Sequence, residues 1–240
     1  MNSKYFFFFS ILWIFNPQYL SAQEASGGPD SEQRYVYDVS YKSINVGQIT
    51  RELSQHGQNM RVNTSADLAF LFFSFGGNQL SDVYRDKDSQ LLLSRHFVRN
   101  NVGFTRVSMS ADFSQNGHRS RLLVDGENKE FVNETDKIVD FNALGLQLSE
   151  GLQAGQRHFE FYMQTSDSVA HYFFEVKGTE SIDSKFGPLQ TFRLEQTQKD
   201  DRKLIAWFAP DINYQMVKFH YQRNMLDIRG ELTEHSTKKL

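Results

Sequence analysis

The chain has 240 residues, a formal net charge of −3, 14% aromatic residues and no cysteine. Without a thiol there is neither a disulfide framework nor a thiolate metal site, so packing must hold the fold. The charge balance gives no electrostatic reason to expect the concentrated basic face that nucleic acid requires, and nucleic acid is not an expected partner.

Residues 1–22 pass from Lys4 through the apolar run YFFFFSILWIF (Tyr5 to Phe15) to Ser21 and Ala22. That order predicts a secretory signal peptide cut near Ala22, with an uncleaved anchor as the alternative. The run is shorter than the roughly 18 to 20 residues a spanning helix needs. Its removal would leave 25 basic residues against 29 acidic ones. Residues 23–33, QEASGGPDSEQ, are polar and aperiodic and read as a flexible lead-in.

From Arg34 onward the hydrophobic period is two. In YVYDVSY, Tyr35, Tyr37, Val39 and Tyr41 share one face. Ile49 and Leu53 share a face of the next stretch, and HGQN (His56 to Asn59) predicts the turn after it. FLFFSF (Phe70 to Phe75) breaks the alternation and is open between a buried helix or turn, a strand and a lipid-facing wedge. Strand patterns return at 79–85, 91–99, 104–113, 119–125 and 130–133, and Asn116-Gly117 and Asp125-Gly126 are tight-hairpin signals.

One segment reads as helix. Asp140 is placed to cap FNALGLQLSEGLQAG, where Phe141, Leu144, Leu148 and Leu152 recur at helical spacing and Gly155 offers a stop. Six further strands are predicted at 157–165, 170–178, 189–198, 203–209, 215–223 and 226–234, followed by a short tail, 235–240. The predicted fold class is mainly β: one domain, 34–234, forming a large curved antiparallel sheet or a half-open to closed barrel with one or two short covering helices.

Several stretches together resemble the DUF3108 family of exported bacterial proteins of unknown function. They are YDVSYKSINVGQITREL, LSDVYRD, FGPLQTFRLEQTQ and KLIAWFAPDINYQMVKFHY, with Trp207 to Asp211 followed by Tyr214 as the most specific part. Gln215 and Met216 stand where members commonly carry leucine and proline. The resemblance implies a mainly antiparallel β protein of the Gram-negative periplasm, and it brings no catalytic residues to carry over.

The chemistry legible in the residues is sparse. The seven histidines, His56, His96, His118, His158, His171, His220 and His235, form no H-x-H or H-E-x-x-H pair, although His158, His171 and His220 fall on predicted strands where they are able to converge. DKDS (Asp86 to Ser89) lacks the glycine and terminal glutamate of a calcium loop and reads as a hairpin tip. Arg95, Arg99, Arg106, Arg119 and Arg121 read as solvated strand residues, with a shared sheet face as the alternative. No catalytic residue, metal ligand or cofactor is assigned.

The aromatic excess remains: 22 Phe, 10 Tyr and 2 Trp. It points to a curled sheet covered on both faces, by itself or by a ligand. The reading is a non-catalytic periplasmic protein of the cell envelope that binds an apolar ligand, a lipid or acyl chain, with Tyr37, Tyr84, Phe174, Trp207 and Tyr214 as ligand-facing candidates that also suit structural roles. Peripheral membrane contact accompanies it. The alternatives are an envelope scaffold for another protein and a hydrolase of envelope polysaccharide.

Overall fold

Alternating apolar residues joined by tight turns produce a meander, and the computed structural model, which describes residues 28–70, 73–102 and 107–240, shows one. Strands β1 (Gly28–Tyr41), β2 (Ile44–Gly57), β3 (Asn59–Phe70), β4 (Phe73–Arg85), β5 (Leu92–Val102), β6 (Val107–Ser114), β7 (Arg119–Val124) and β8 (Glu127–Val132) pair antiparallel in succession. After β9 (Ile138–Val139) and helix α1 (Phe141–Gln153) comes a second meander: β10 (His158–Gln164), β11 (Val169–Ser184), β12 (Gly187–Thr197), β13 (Lys203–Ala209), β14 (Gln215–Arg223) and β15 (Leu226–Lys239). Pairing of β1 with β15 joins the two halves into one sheet whose outer strands are β8 and β9. The expected signal segment, 1–22, lies outside the described residues.

The turns form where the sequence places them. Asp125 and Gly126 take φ of +47° and +89°, the left-handed pair that a two-residue hairpin needs. Gln115, Asn116 and Gly117 are likewise left-handed between β6 and β7. FLFFSF runs as strand on both sides, β3 ending at Phe70 and β4 starting at Phe73, while residues 71–72 lie outside the described part.

Two boundaries differ from the sequence reading. β1 begins at Gly28, inside the expected lead-in, and β15 runs to Lys239, through the expected tail. The two ends pair with each other, Ser31 opposite Lys239 and Gln33 opposite Thr237. Backbone ladders require no apolar face, so these polar ends carry no alternation from which to read a strand.

The β9–β10 pair is parallel, and parallel neighbours cannot be joined by a tight hairpin. Helix α1 is the crossover between them. Asp140 caps it by accepting from the amides of Asn142 and Ala143, and Gly155 follows its last turn at φ +84°. Leu144, Leu148 and Leu152 are buried, whereas Phe141 is 49% exposed, so the buried stripe begins one turn later than the spacing suggests.

The helix lies against β4, β5 and β10 in the concavity of the sheet. Its two internal glycines meet different surroundings. A Cβ at Gly145 would stand 3.6 Å from the Arg51 guanidinium, whereas one at Gly151 would fall 2.4 Å from the Phe159 ring. Gly145→Ala is therefore expected to stabilise the protein by about 0.5 to 1 kcal/mol through helix propensity. Gly151→Ala is expected to cost about 1 to 3 kcal/mol through overpacking. Urea denaturation of the two variants checks the opposite signs.

The sheet curls without closing. Its β9 end rests on the face of β5 to β7: Ile138 packs with Phe97, Met109 and Leu122, the Ile138 amide donates to Gly117 O at 2.7 Å, and Ser120 Oγ donates to Gln164 across the overlap. A larger core lies between α1, β1 to β5 and β10 to β15, built on Tyr37, Leu53, Val62, Leu144, Phe161 and Phe208. Tyr35, Val36 and Tyr37 are each 2% exposed, so β1 is covered on both faces at this point, as the aromatic excess requires.

Candidate functional site

Residues directly opposite on neighbouring strands share a face, so the register defines rows across the concave side. One row is apolar apart from a serine: Leu53 on β2, Val62 on β3, Ser81 on β4, Phe97 on β5, Ala111 on β6 and Leu122 on β7. The adjacent row is polar. It runs Tyr35, Arg51, Thr64, Gln79 and Arg99 to Met109, from β1 to β6. The next row toward the hairpin ends turns small and apolar again with Tyr37, Ile49, Ala66 and Gly77.

Helix α1 is fixed over these rows by buried hydrogen bonds. Asp140 Oδ1 accepts from Asn142 N (2.7 Å), Ala143 N (3.0 Å) and Ser81 Oγ (2.9 Å), and the Asp140 amide donates to Ser94 Oγ at 2.8 Å. Asn142 Nδ2 donates to Ser81 Oγ, and Thr64 Oγ1 donates to Asn142 Oδ1. Arg85 adds a two-point ion pair to Glu150 at the far end of the helix.

Four groups in this region lack a hydrogen-bond partner while shielded from solvent: Arg51 Nε and Nη2, Gln79 Oε1, Arg99 Nε and Asp140 Oδ2. Neither Arg51 nor Arg99 has a carboxylate partner among the described residues, apart from the longer-range attraction between Arg51 and Asp140. Burial lowers the pKa of both guanidiniums. Unpaired buried polar atoms are rare in folded proteins and each calls for an explanation.

Burial also pushes the Asp140 carboxyl above its ordinary value of 3.8, with hydrogen bonds from Ala143, Ser94, Ser81 and Asn142 pulling it back down. Between the ordinary value and the raised one, the folded protein holds a proton that the unfolded chain releases. The associated stability is therefore full below 3.8 and falls as pH rises through the folded value. Urea midpoints of the wild type and Asp140→Asn, compared from about pH 3 to 7, are expected to show the wild type losing ground with rising pH and then levelling off.

The five aromatic candidates all belong to or pack against the larger core. Tyr37 is buried, its hydroxyl donating to Met216 O at 2.8 Å, and Phe174 packs edge-on to Phe161 at 6.2 Å. Tyr214, at φ +54° after the Pro210–Ile212 turn, stacks on Phe192 at 6.0 Å. Trp207 is half-buried, paired laterally with Arg193 and Lys218, and its Nε1 donates to Glu180.

Tyr84 lines a polar cleft of about 390 Å³ with Gln58, Asn59, Lys87, Asp88 and Arg95, whose guanidinium lies 5.0 Å over its ring. Asp86 beside it is tied to Ser89 N and Oγ as the hairpin tip expected of DKDS, bonds that hold its carboxyl below the usual range.

The strand histidines do not converge. His171 meets Glu160 at 2.7 Å, His220 meets Asp227 at 2.8 Å, and His158 stands opposite Glu175. Arg119 and Arg121 share Glu130, but Arg99 is half-buried with its Nε shielded, not the solvated residue the sequence suggests; Arg106 lies outside the described residues. Arg51 was missed altogether, although it sits between Ile49 and Leu53 in the apolar phase of its strand. A charge in the buried phase of an alternation was the available signal.

A long, almost wholly antiparallel sheet, curled but not closed around an aromatic core and, among the described residues, a single α-helix, defines a β-barrel-like protein. The same architecture occurs in the crystal structure of a β-barrel-like protein of domain of unknown function DUF1849 from Brucella abortus, with a TM-score of 0.59 over 86% of this chain and 98% of that one at 11% identity. The chain belongs to the DUF3108 family, proteins of unknown function, whose model matches residues 36–233. No curated protein matches it.

Proposed function

We propose that this chain is a non-catalytic binding protein of the bacterial cell envelope, exported to the periplasm, that takes the apolar part of a lipid or an acyl chain on the concave face of its sheet. The observation that carries the reading is the overlap without closure: β8 and β9 do not join, and one 13-residue helix covers the concavity. A closed, self-filled barrel has no such route to its interior.

The rim of the sheet supports contact with a membrane. Ile44, Val102, Met225 and Leu226 are 50 to 83% exposed at hairpin ends on the same side of the sheet. Tyr41 joins two of these hairpins, its hydroxyl donating to Met225 O. Apolar residues at the tips of neighbouring hairpins suit insertion among lipid headgroups. The double variant Ile44→Asp, Met225→Asp is expected to reduce flotation with phospholipid vesicles about tenfold, because each carboxylate strongly opposes transfer into the bilayer.

Native mass spectrometry of the full chain purified from its own envelope fraction tests the binding reading. An adduct with the mass of an amphiphile, recovered again by lipid extraction, is expected. Protein without adduct, together with an extract free of lipid, overturns it.

The scaffold alternative has the free edge of β8 in its favour, although Glu127, Lys129 and Glu130 guard that edge against strand addition. For the hydrolase alternative, the described residues offer no group of three His, Asp or Glu able to hold a metal ion.

A further inference from the structure

We infer that the ligand is an acid-headed amphiphile whose carboxylate or phosphate is received by Arg51, with Gln79 and Arg99 extending the same polar row; the inference rests on the binding reading above and names its ligand class.

Three observations meet at one place. The row Arg51, Thr64, Gln79, Arg99 is set by strand register alone, so its members face the concavity together. Arg51 presents Nε and Nη2, the two donors of a fork edge, with no protein acceptor. That edge matches a carboxylate or phosphate in two-point geometry. Across the helix terminus stands Asp140 Oδ2, also unpaired and fully buried, and burial favours its protonated form, which donates to an anion and does not repel it.

The surroundings select the rest of the molecule. Gly145 brings only backbone over the guanidinium. From Arg51 toward the hairpin ends the same face continues through the half-buried Ile49, Ala66 and Gly77, a lane of small and apolar residues walled by the buried Tyr37 and leading to the rim at Ile44. An apolar tail laid along this lane leaves its acid at the buried end. A neutral amphiphile gains the lane but not the guanidinium, whose desolvation then stays uncompensated.

Calorimetric titration of the delipidated full chain with dodecanoate, dodecyl phosphate and 1-dodecanol tests this. One or both acids are expected to bind the wild type at least about 30-fold more tightly than the alcohol, the margin expected of charge-assisted hydrogen bonds. The tighter acid identifies carboxylate or phosphate as the head. Arg51→Met is expected to remove the margin, the acids falling to the affinity of dodecanol or below, and Arg51→Lys to restore part of it. Equal binding of acids and alcohol to the wild type overturns the anchor but leaves apolar binding in place, and this comparison needs no variant to fold. Loss of binding to all three overturns both readings. An acid preference that survives in Arg51→Met, shown folded by its circular dichroism, overturns the assignment to Arg51.

Discussion

Asp140→Ala is expected to lower the stability of the protein by about 3 kcal/mol, combining a lost N-cap with a broken buried network. The carboxylate serves two helix amides and the Ser81 hydroxyl through a single oxygen, and its own amide holds Ser94. Removing it leaves the amides of Asn142 and Ala143 and the Ser81 hydroxyl to find new partners where no water reaches. The same residue anchors α1 to β4 and β5, so the loss is not confined to helix fraying. Asp140→Asn keeps an acceptor oxygen in place and is expected to cost less than half as much. Urea denaturation gives both numbers, and an alanine variant within about 1 kcal/mol of the wild type would show that the network relaxes around the gap.

Gly47→Ala is expected to be comparably damaging, on the order of 3 kcal/mol, because strain and collision add. Gly47 has φ +135°, and a Cβ there would lie 2.1 Å from Asp67 O on β3. The obstacle is backbone in the β2–β3 ladder, so no side-chain rotation relieves it; the strands must part. Gly57 supplies the control. It also has positive φ, +56°, but a Cβ there meets nothing within 4 Å. Gly57→Ala is expected to cost only about 1 kcal/mol, the conformational part alone. Thermal and urea unfolding of the pair separate the two contributions.

Much of the fold was legible because local chemistry and tertiary packing agree. The alternation in YVYDVSY made β1, Asp125-Gly126 made a tight hairpin, and Asp140 with Gly155 bounded α1. At the Pro210 to Asn213 corner proline has no amide to extend β13, and Asn213 takes the left-handed conformation that returns the chain as β14. Trp207, beside that corner, reads from sequence as a core or rim residue, and its partly buried ring over the core fits the rim.

The candidate site was much less legible. The aromatic candidates suit structural roles as well as a ligand, and Phe174 and Tyr214 both pack on other rings. Arg51 and Arg99 are separated by 48 positions in sequence and come into one row only through the registers of three hairpin pairings.

The sequence by itself determined the class of this protein: strands by their period of two, turns by residues that accept positive φ, one capped helix, and a core rich in aromatics. Tertiary structure alone decided that the sheet overlaps without closing and that the fork edge of Arg51 lies without an acceptor beneath the helix. The physical reason is that periodicity reports which face of a strand is buried, whereas curvature and register decide what that face meets.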